Sequence, residues 1–326
     1  MQKTVRRQRR KNVDRKEDKS LERIRRDRAR SRQIRLAVSD MDGSFLNKDG
    51  KVSRANGEAV RKLREAGIRF AVCTGRNYQD AAGPLREAGI TGCGIVAMNG
   101  AAVYDEEGNL LQRRLLSGEQ AGRILKALEP WRDRLILQLI TEQETFIIAG
   151  EERFRHFFIT RIFPKADRSR EEEETLFGSY HRITAEEFLK KSPNCCKIET
   201  LSEDTGLIRQ IREPLEQVGG IAVAASFPTN WEITHEKATK DQGLICYGEV
   251  LGYGPEQIMA LGDGDNDRTM LSLPLGWSVA MGNGMEVVRE AAQIITGTNE
   301  EDGFAMAAEA LLEGRRESEK EEGENR

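Results

Sequence analysis

The sequence predicts an α/β protein in which a parallel-sheet domain is interrupted by an inserted α+β unit. Three observations carry this reading. Short apolar runs alternate with amphipathic helical segments over residues 34–100 and again over 230–312, as in strand–helix–strand crossovers. Two acidic loops, Ser39-Asp40-Met41-Asp42-Gly43-Ser44 and Gly262-Asp263-Gly264-Asp265-Asn266-Asp267, each follow such a run. Parallel sheets place ligands beyond the carboxyl ends of their strands. Between residues 100 and 230 the alternation gives way to helices mixed with alternating strands.

In chain order, Ile34–Ser39 is a buried-strand candidate. Ser53 can cap a helix that turns Val60 and Leu63 inward and closes at Gly67. Ile68–Cys73 is the next strand. Asn77–Ala88 is helical up to Gly89, with Pro84 expected to distort it. Gly94–Met98 is a third strand, followed by a hairpin around Asp105–Asn109. The inserted unit is expected over 101–229, with helices Ser117–Leu128 and Glu203–Val218. Its strands are Leu135–Ile140, Thr145–Ile148, Lys197–Leu201 and Ile221–Ala225. Strands Glu256–Leu261, Gly276–Ala280 and Gln293–Thr296 then complete the sheet domain. The chain crossings near 100 and 230 are expected to form a hinge, with Phe227 and Trp231 packed there.

The 326 residues carry a net charge of −3, unevenly distributed. Residues 1–35 hold 16 Lys/Arg against 5 Asp/Glu, a net of +11, so the remainder carries −14. Residues 1–33 therefore read as an Arg-rich flexible tail with too few apolar residues to fold alone, although Glu22 and Arg26 form an i,i+4 pair that suits a helix over part of it. Residues 313–326 read as a second, disordered tail. No apolar run is long enough to span a bilayer, and the N-terminus has no apolar signal region. Cys73, Cys93, Cys195, Cys196 and Cys246 include no CxxC pair. Reduced, mostly buried thiols in a cytoplasmic protein are expected.

Two strand ends crowded with carboxylates need a cation to offset their repulsion. Hard oxygen ligands in small number suit Mg²⁺, which is held by one or two carboxylates together with substrate phosphate. The chain thus reads as a Mg²⁺-dependent phosphoryl-transfer enzyme. Asp40 and Asp42 stand two apart, so extended backbone points both to one face. One can attack phosphorus while the other handles protons. Thr74-Gly75-Arg76 offers a hydroxyl and backbone N–H groups for phosphate oxygens. Lys240 can neutralise charge on a transferring phosphoryl group, with Lys237 as a rival three residues earlier. The second acidic loop is no EF-hand, because the twelfth position from Asp263 is Pro274 instead of glutamate.

These four pieces, in this order, resemble the haloacid dehalogenase superfamily, and most closely its Cof-like subgroup (class IIB). The resemblance spans about Ile34 to Leu312. It is supported by Asn99-Gly100-Ala101, Val279-Ala280-Met281-Gly282-Asn283 and Glu301-Asp302-Gly303. It implies a Rossmann-like parallel-sheet core with an inserted α+β cap domain that sets substrate specificity. It implies a phosphatase, a hydrolase that passes through an aspartyl-phosphate. Asp40 is then nucleophile and Mg²⁺ ligand. Asp42 is general acid, then base, and binds the metal through its backbone carbonyl. Asp263 completes the metal-binding set. Met41, Thr74, Gly75, Lys240 and Asn266 hold phosphate; Ser44 and Asp267 support the site, and Arg76 supports its own loop. Ser44 stands where the family usually has Thr, and Asp241-Gln242 follows Lys240 where a small residue is commoner.

The expected substrate is a small phosphorylated metabolite, a sugar phosphate or a phosphorylated cofactor. A phosphomutase or a phosphatase dedicated to one sugar phosphate is the alternative within the enzymes. Nucleic-acid binding through residues 1–35 is a third reading; net +11 suits phosphate contacts, but the arm has no aromatic residue to stack on bases. The oligomeric state is not readable.

Overall fold

A computed structural model describes residues 21–141, 144–162, 169–178 and 180–324. It divides into two compact units: residues 1–113 with 239–326, and residues 114–238. In chain order, the first unit contributes β1 (Leu36–Ser39), β2 (Arg69–Cys73), β3 (Gly94–Ala97), β4 (Ala102–Tyr104) and β5 (Leu110–Arg113). The second holds β6 (Ile136–Ile140), β7 (Thr145–Ile148), β8 (His181–Arg182), β9 (Lys197–Leu201), β10 (Ile221–Ala224) and β11 (Asn230–His235). The chain then returns with β12 (Ile258–Gly262), β13 (Trp277–Ala280) and β14 (Ile294–Ile295).

In the first unit these strands form one sheet in the order β14-β13-β12-β1-β2-β3-β4-β5. Pairing is parallel from β14 to β3 and antiparallel onward to β5. Side chains alternate across it, as strand geometry requires. Ala37, Phe70, Val72, Met259 and Leu261 are buried in a core with Phe45 and Phe304. Leu36, Val38, Ala71, Ile258 and Ala260 are buried in another with Leu244 and Tyr247. Burial on both faces explains why these strands read as continuous apolar runs instead of alternating ones. Ser53 caps the helix Arg54–Glu65, accepting from Asn56 N, and Gly67 follows at φ +73°.

The unit boundary differs from the one expected at residue 100. Residues 102–113 extend the core sheet as an antiparallel hairpin, so the inserted unit begins only at Arg114. It ends at Ala238, nine residues beyond the expected 229. Neither tail is as expected within the described residues. Residues 21–26 are helical and Arg28–Gln33 is a helix, and Leu21 and Ile24 are buried in the first unit's core. The Arg23 and Arg30 guanidiniums lie over the Trp277 ring. The last helix runs from Gly303 to Glu324, through the supposed C-terminal tail. Its Arg315 donates to the carbonyls of Arg32, Ile34 and Ala66. The Glu22/Arg26 pair is formed, as expected of a helix here, but the arginine content concealed the burial; the apolar pair Leu21/Ile24 at i,i+3 marks the buried face. Residues 1–20 and 325–326 lie outside the described ones.

The second unit has its own six-stranded sheet, in the order β10-β11-β9-β6-β7-β8, antiparallel except for β7–β8. The expected helix over 203–218 is two pieces, Thr205–Gln210 and Arg212–Glu216. Pro214 has no N–H for the Gln210 carbonyl, which accounts for the break. Trp231 packs in this unit's core and donates to the Ile208 carbonyl, while Phe227 is 57% exposed. A polar network lies on β9 and β11: Lys197 bonds Glu232 at 2.6 Å, and Asn230 donates to Glu199 at 2.6 Å.

Candidate active site

The site is built on the first unit, where five loops leave the carboxyl ends of β1, β2, β3, β12 and β13. β1 ends at Ser39, and Asp40 follows at once, with its backbone N–H donating to Leu261 of β12. The chain then turns sharply. Gly43 takes φ +79°, and a β-carbon there would lie 2.3 Å from Asp263 Oδ2. Only glycine lets the first acidic loop come this close to the second. Ser44 Oγ donates to Asp263 Oδ1 at 2.9 Å, and Asn283, after β13, donates to the Gly43 carbonyl at 2.8 Å.

Lys240 lies at the centre of the charges. It opens the helix Lys240–Leu251, is 1% exposed, and donates at 2.6 Å to both Asp40 Oδ1 and Asp267 Oδ1. Lys237 is exposed, with its backbone N–H bonded to His235 Nδ1. Lys240 is therefore the lysine of the acidic cluster. Burial opposes its charge, but the carboxylates of Asp267 and Asp40 outweigh burial and hold the ammonium well above its ordinary range. Burial likewise pushes Asp40 well above the usual carboxylate range, with Lys240 pulling the other way. Burial, then the neighbouring Asp267, pushes Asp263 up to about 7.

Oxygens of Asp40, Asp263 and Asp267 all lie within 4.8 Å of one another. Three carboxylates against one ammonium leave an excess of negative charge. A hard divalent cation fits this donor set. The three are not equally available to it. Asp267 Oδ1 takes the Lys240 bond, and its Oδ2 accepts from the N–H groups of Asp263 and Gly264, both at 2.9 Å. Asp267 thus orients Lys240 and folds its own loop, while Asp40 and Asp263 face the remaining need for a cation.

Asp42 is turned aside from this group. Arg76 grips it with two bonds, Nε to Oδ2 at 2.7 Å and Nη2 to Oδ1 at 2.6 Å. The same guanidinium donates to the Asp80 carbonyl at 3.2 Å. Pro84 would otherwise leave that carbonyl without its helical partner. The expected distortion of Tyr78–Glu87 is therefore absorbed by Arg76, which links this helix to the first acidic loop. Sequence reasoning gave Arg76 to its own loop only.

The remaining expected residues are nearby in the fold. Met41 has its side chain wholly buried in the core, so only its main chain can meet a ligand. Thr74 and Gly75 follow β2, and Thr74 Oγ1 accepts from Arg76 N. Asn266 is buried and donates to Asn99 Oδ1 at 3.1 Å. Asn99 and Asn283 stand out in the sequence as family marks alone; buried Asn99 accepts from Asn266 and exposed Asn283 donates to the Gly43 carbonyl, contacts with no signal beyond their places after strands.

A family model for haloacid dehalogenase-like hydrolases matches residues 37–307. The chain belongs to that family, in its Cof-like subgroup, and is a hydrolase of the phosphatase class. It is 28% identical over 274 residues to the 5-amino-6-(5-phospho-D-ribitylamino)uracil phosphatase YcsE of Bacillus subtilis (strain 168), covering 84% of this chain and 94% of that protein. It is 28% identical over 282 residues to an HMP-PP phosphatase of Yersinia pestis, covering 83% and 93%. Among solved structures, a haloacid dehalogenase-like hydrolase from B. subtilis superposes with a TM-score of 0.71 at 26% identity, over 85% of this chain and 99% of that one. Among the described residues, no helix is long and apolar enough to cross a membrane.

Proposed function

We propose that this protein is a Mg²⁺-dependent phosphatase of small phosphorylated metabolites that works through an aspartyl-phosphate on Asp40. The observation that carries the proposal is the pair of hydrogen bonds that buried Lys240 donates to Asp40 and Asp267, with Asp263 within metal-sharing reach. Asp40 and Asp263, with the backbone carbonyl of Asp42, would hold Mg²⁺. When bound, the ion supplies positive charge that draws the phosphoryl oxygens toward the Asp40 carboxylate.

Asp40 attacks phosphorus, forming an O–P bond as the bond to the leaving oxygen breaks. Asp42 gives that oxygen its proton, after turning from Arg76. Water then attacks phosphorus, Asp42 takes its proton, and the bond to Asp40 breaks to release phosphate. Lys240 neutralises oxygens of the transferring group, while Thr74, Gly75, Asn266 and the Met41 main chain orient it. Ser44 and Asp267 hold Asp263 and Lys240 in place. Substrate choice is assigned to the inserted unit, 114–238. The phosphorylated compounds named for the bacterial relatives, together with sugar phosphates, form the first panel to assay.

The mechanism is tested with Asp42→Asn and an aryl phosphate, whose leaving group needs little protonation. The first step proceeds and the second lacks its base. A burst of about one equivalent of aryl alcohol per site is expected, then slow turnover. Mass spectrometry should place phosphate on Asp40. Normal turnover by Asp42→Asn, or phosphate on another residue, would refute the assignment.

A further inference from the structure

Asn99 lies in the turn after β3, and its backbone is strained. Met98 and Asn99 both adopt left-handed conformations, at φ +49° and +55°. Such a backbone is disfavoured for any residue with a β-carbon, strongly for methionine and least for asparagine. Strain of this kind persists only where the surroundings over-determine it, and it gathers at functional sites. Here the surroundings are the motif loops themselves. Met98 N donates to the Arg76 carbonyl at 2.8 Å, and Asn99 N to the Thr74 carbonyl at 2.9 Å. Gly100 follows at φ +96°, and a β-carbon on it would lie 2.3 Å from the carbonyl oxygen of Thr239, the residue before Lys240. The turn is thus fixed against the loops of Thr74 and Lys240. Its side chain reaches a third, because Asn99 Oδ1 accepts from Asn266 Nδ2 at 3.1 Å. Both side chains are buried, with Asn99 4% and Asn266 8% exposed.

We infer that Asn99 is a positioning residue whose amide oxygen sets the orientation of the Asn266 carboxamide toward the phosphoryl group. This deepens the proposed function and rests on its assignment of Asn266 to phosphate. A carboxamide has a donor end and an acceptor end that exchange on a half-turn. The bond to Asn99 holds the nitrogen end of the Asn266 amide on the Asn99 side. The flipped amide would set its oxygen against Asn99 Oδ1, so this bond disfavours the flip. If Asn99 were present only because asparagine tolerates a left-handed backbone, glycine would serve better, since it has no β-carbon to strain.

That contrast supplies the test. Asn99→Gly removes the amide while easing the backbone. The full-length enzyme is assayed on p-nitrophenyl phosphate, with orthovanadate inhibition as a second reading, in wild-type and Asn266→Ala backgrounds. Asn99→Gly should lower kcat/KM and weaken vanadate binding by about tenfold in the wild-type background. When Asn266 is already alanine, the further loss should be under about threefold, the non-additivity of residues acting as a unit. Asn99→Ser, whose hydroxyl stops one bond short of the amide oxygen, should match glycine and serves if the glycine variant does not fold. Wild-type activity in both Asn99 variants would overturn the inference, as would an undiminished loss in the Asn266→Ala background. An Asn266→Ala enzyme with wild-type activity would instead remove Asn266 from the phosphate site, and this inference with it.

Discussion

Gly43→Ala isolates the close approach of the two acidic loops. The substitution has two separable effects. The first is on the backbone: φ is +79°, and an alanine held there costs roughly 1–2 kcal/mol. The second is steric. The new methyl would lie 2.3 Å from Asp263 Oδ2 and 2.8 Å from its Cγ, where ordinary contact begins at 3.4 Å. The Asp263 carboxylate must therefore move by about 1 Å, and its bond from Ser44 breaks with it. A misplacement of that size costs on the order of 10² in rate. Gly50→Ala is the matched control. Its φ is +71°, but nothing lies within 4 Å of the added carbon. Both variants should lose about 2–6 °C in Tm. Gly43→Ala alone should lose about 100-fold in kcat/KM on p-nitrophenyl phosphate with saturating Mg²⁺. Calorimetry and steady-state kinetics on the pair give the answer. Equal activity in the two variants, or Gly43→Ala within threefold of wild type, would refute the reading of this contact as the reason for glycine.

Three further outcomes follow from the same geometry. Excess chelator should abolish activity, Mg²⁺ should restore it, and the larger Ca²⁺ should inhibit by disturbing the in-line geometry; full turnover in chelator would refute the metal requirement. Lys240→Met leaves Asp40 and Asp267 buried without their cation, a loss of about 3–5 kcal/mol. Urea unfolding should show it, and a change under about 1 kcal/mol would mean the pair is solvated and the site is not as described. Deleting residues 1–33 removes Leu21 and Ile24 from the core, at about 1.5–3 kcal/mol each. Thermal unfolding should fall by about 10 °C in the truncated chain. An unchanged Tm would return that segment to the status of a solvated arm.

The loops of Asp40, Thr74 and Asp263 were legible because each follows an apolar run too short and too buried to be anything but a strand. Chemistry placed after such runs must gather at one edge of a parallel sheet. The order of strands and the partners of single side chains were not legible. Nothing in Thr74-Gly75-Arg76 tells that Arg76 leaves its own loop. Its role comes from Pro84, which frees the Asp80 carbonyl, and from Asp42, thirty-four residues away in the chain. Both partners become visible only once β1 and β2 are adjacent. The packing of residues 21–26 and of the helix Arg28–Gln33 against the core was concealed for a different reason, although the Glu22/Arg26 pair pointed to helix there. Their arginines raise the charge enough to suggest disorder, yet Arg23 and Arg30 lie over Trp277 and Arg25 pairs with Glu313. Composition counts a charge as a reason to stay in water; long arginine stems can also cover apolar surface while the guanidinium finds a ring or a carboxylate. The same limit applies to the acidic cluster. The excess of carboxylates could be counted in the sequence, but the fold alone decides that Lys240 answers Asp40 and Asp267. That leaves Asp263, held by Ser44 and close against Gly43, as the carboxylate of the cluster that Lys240 does not bond.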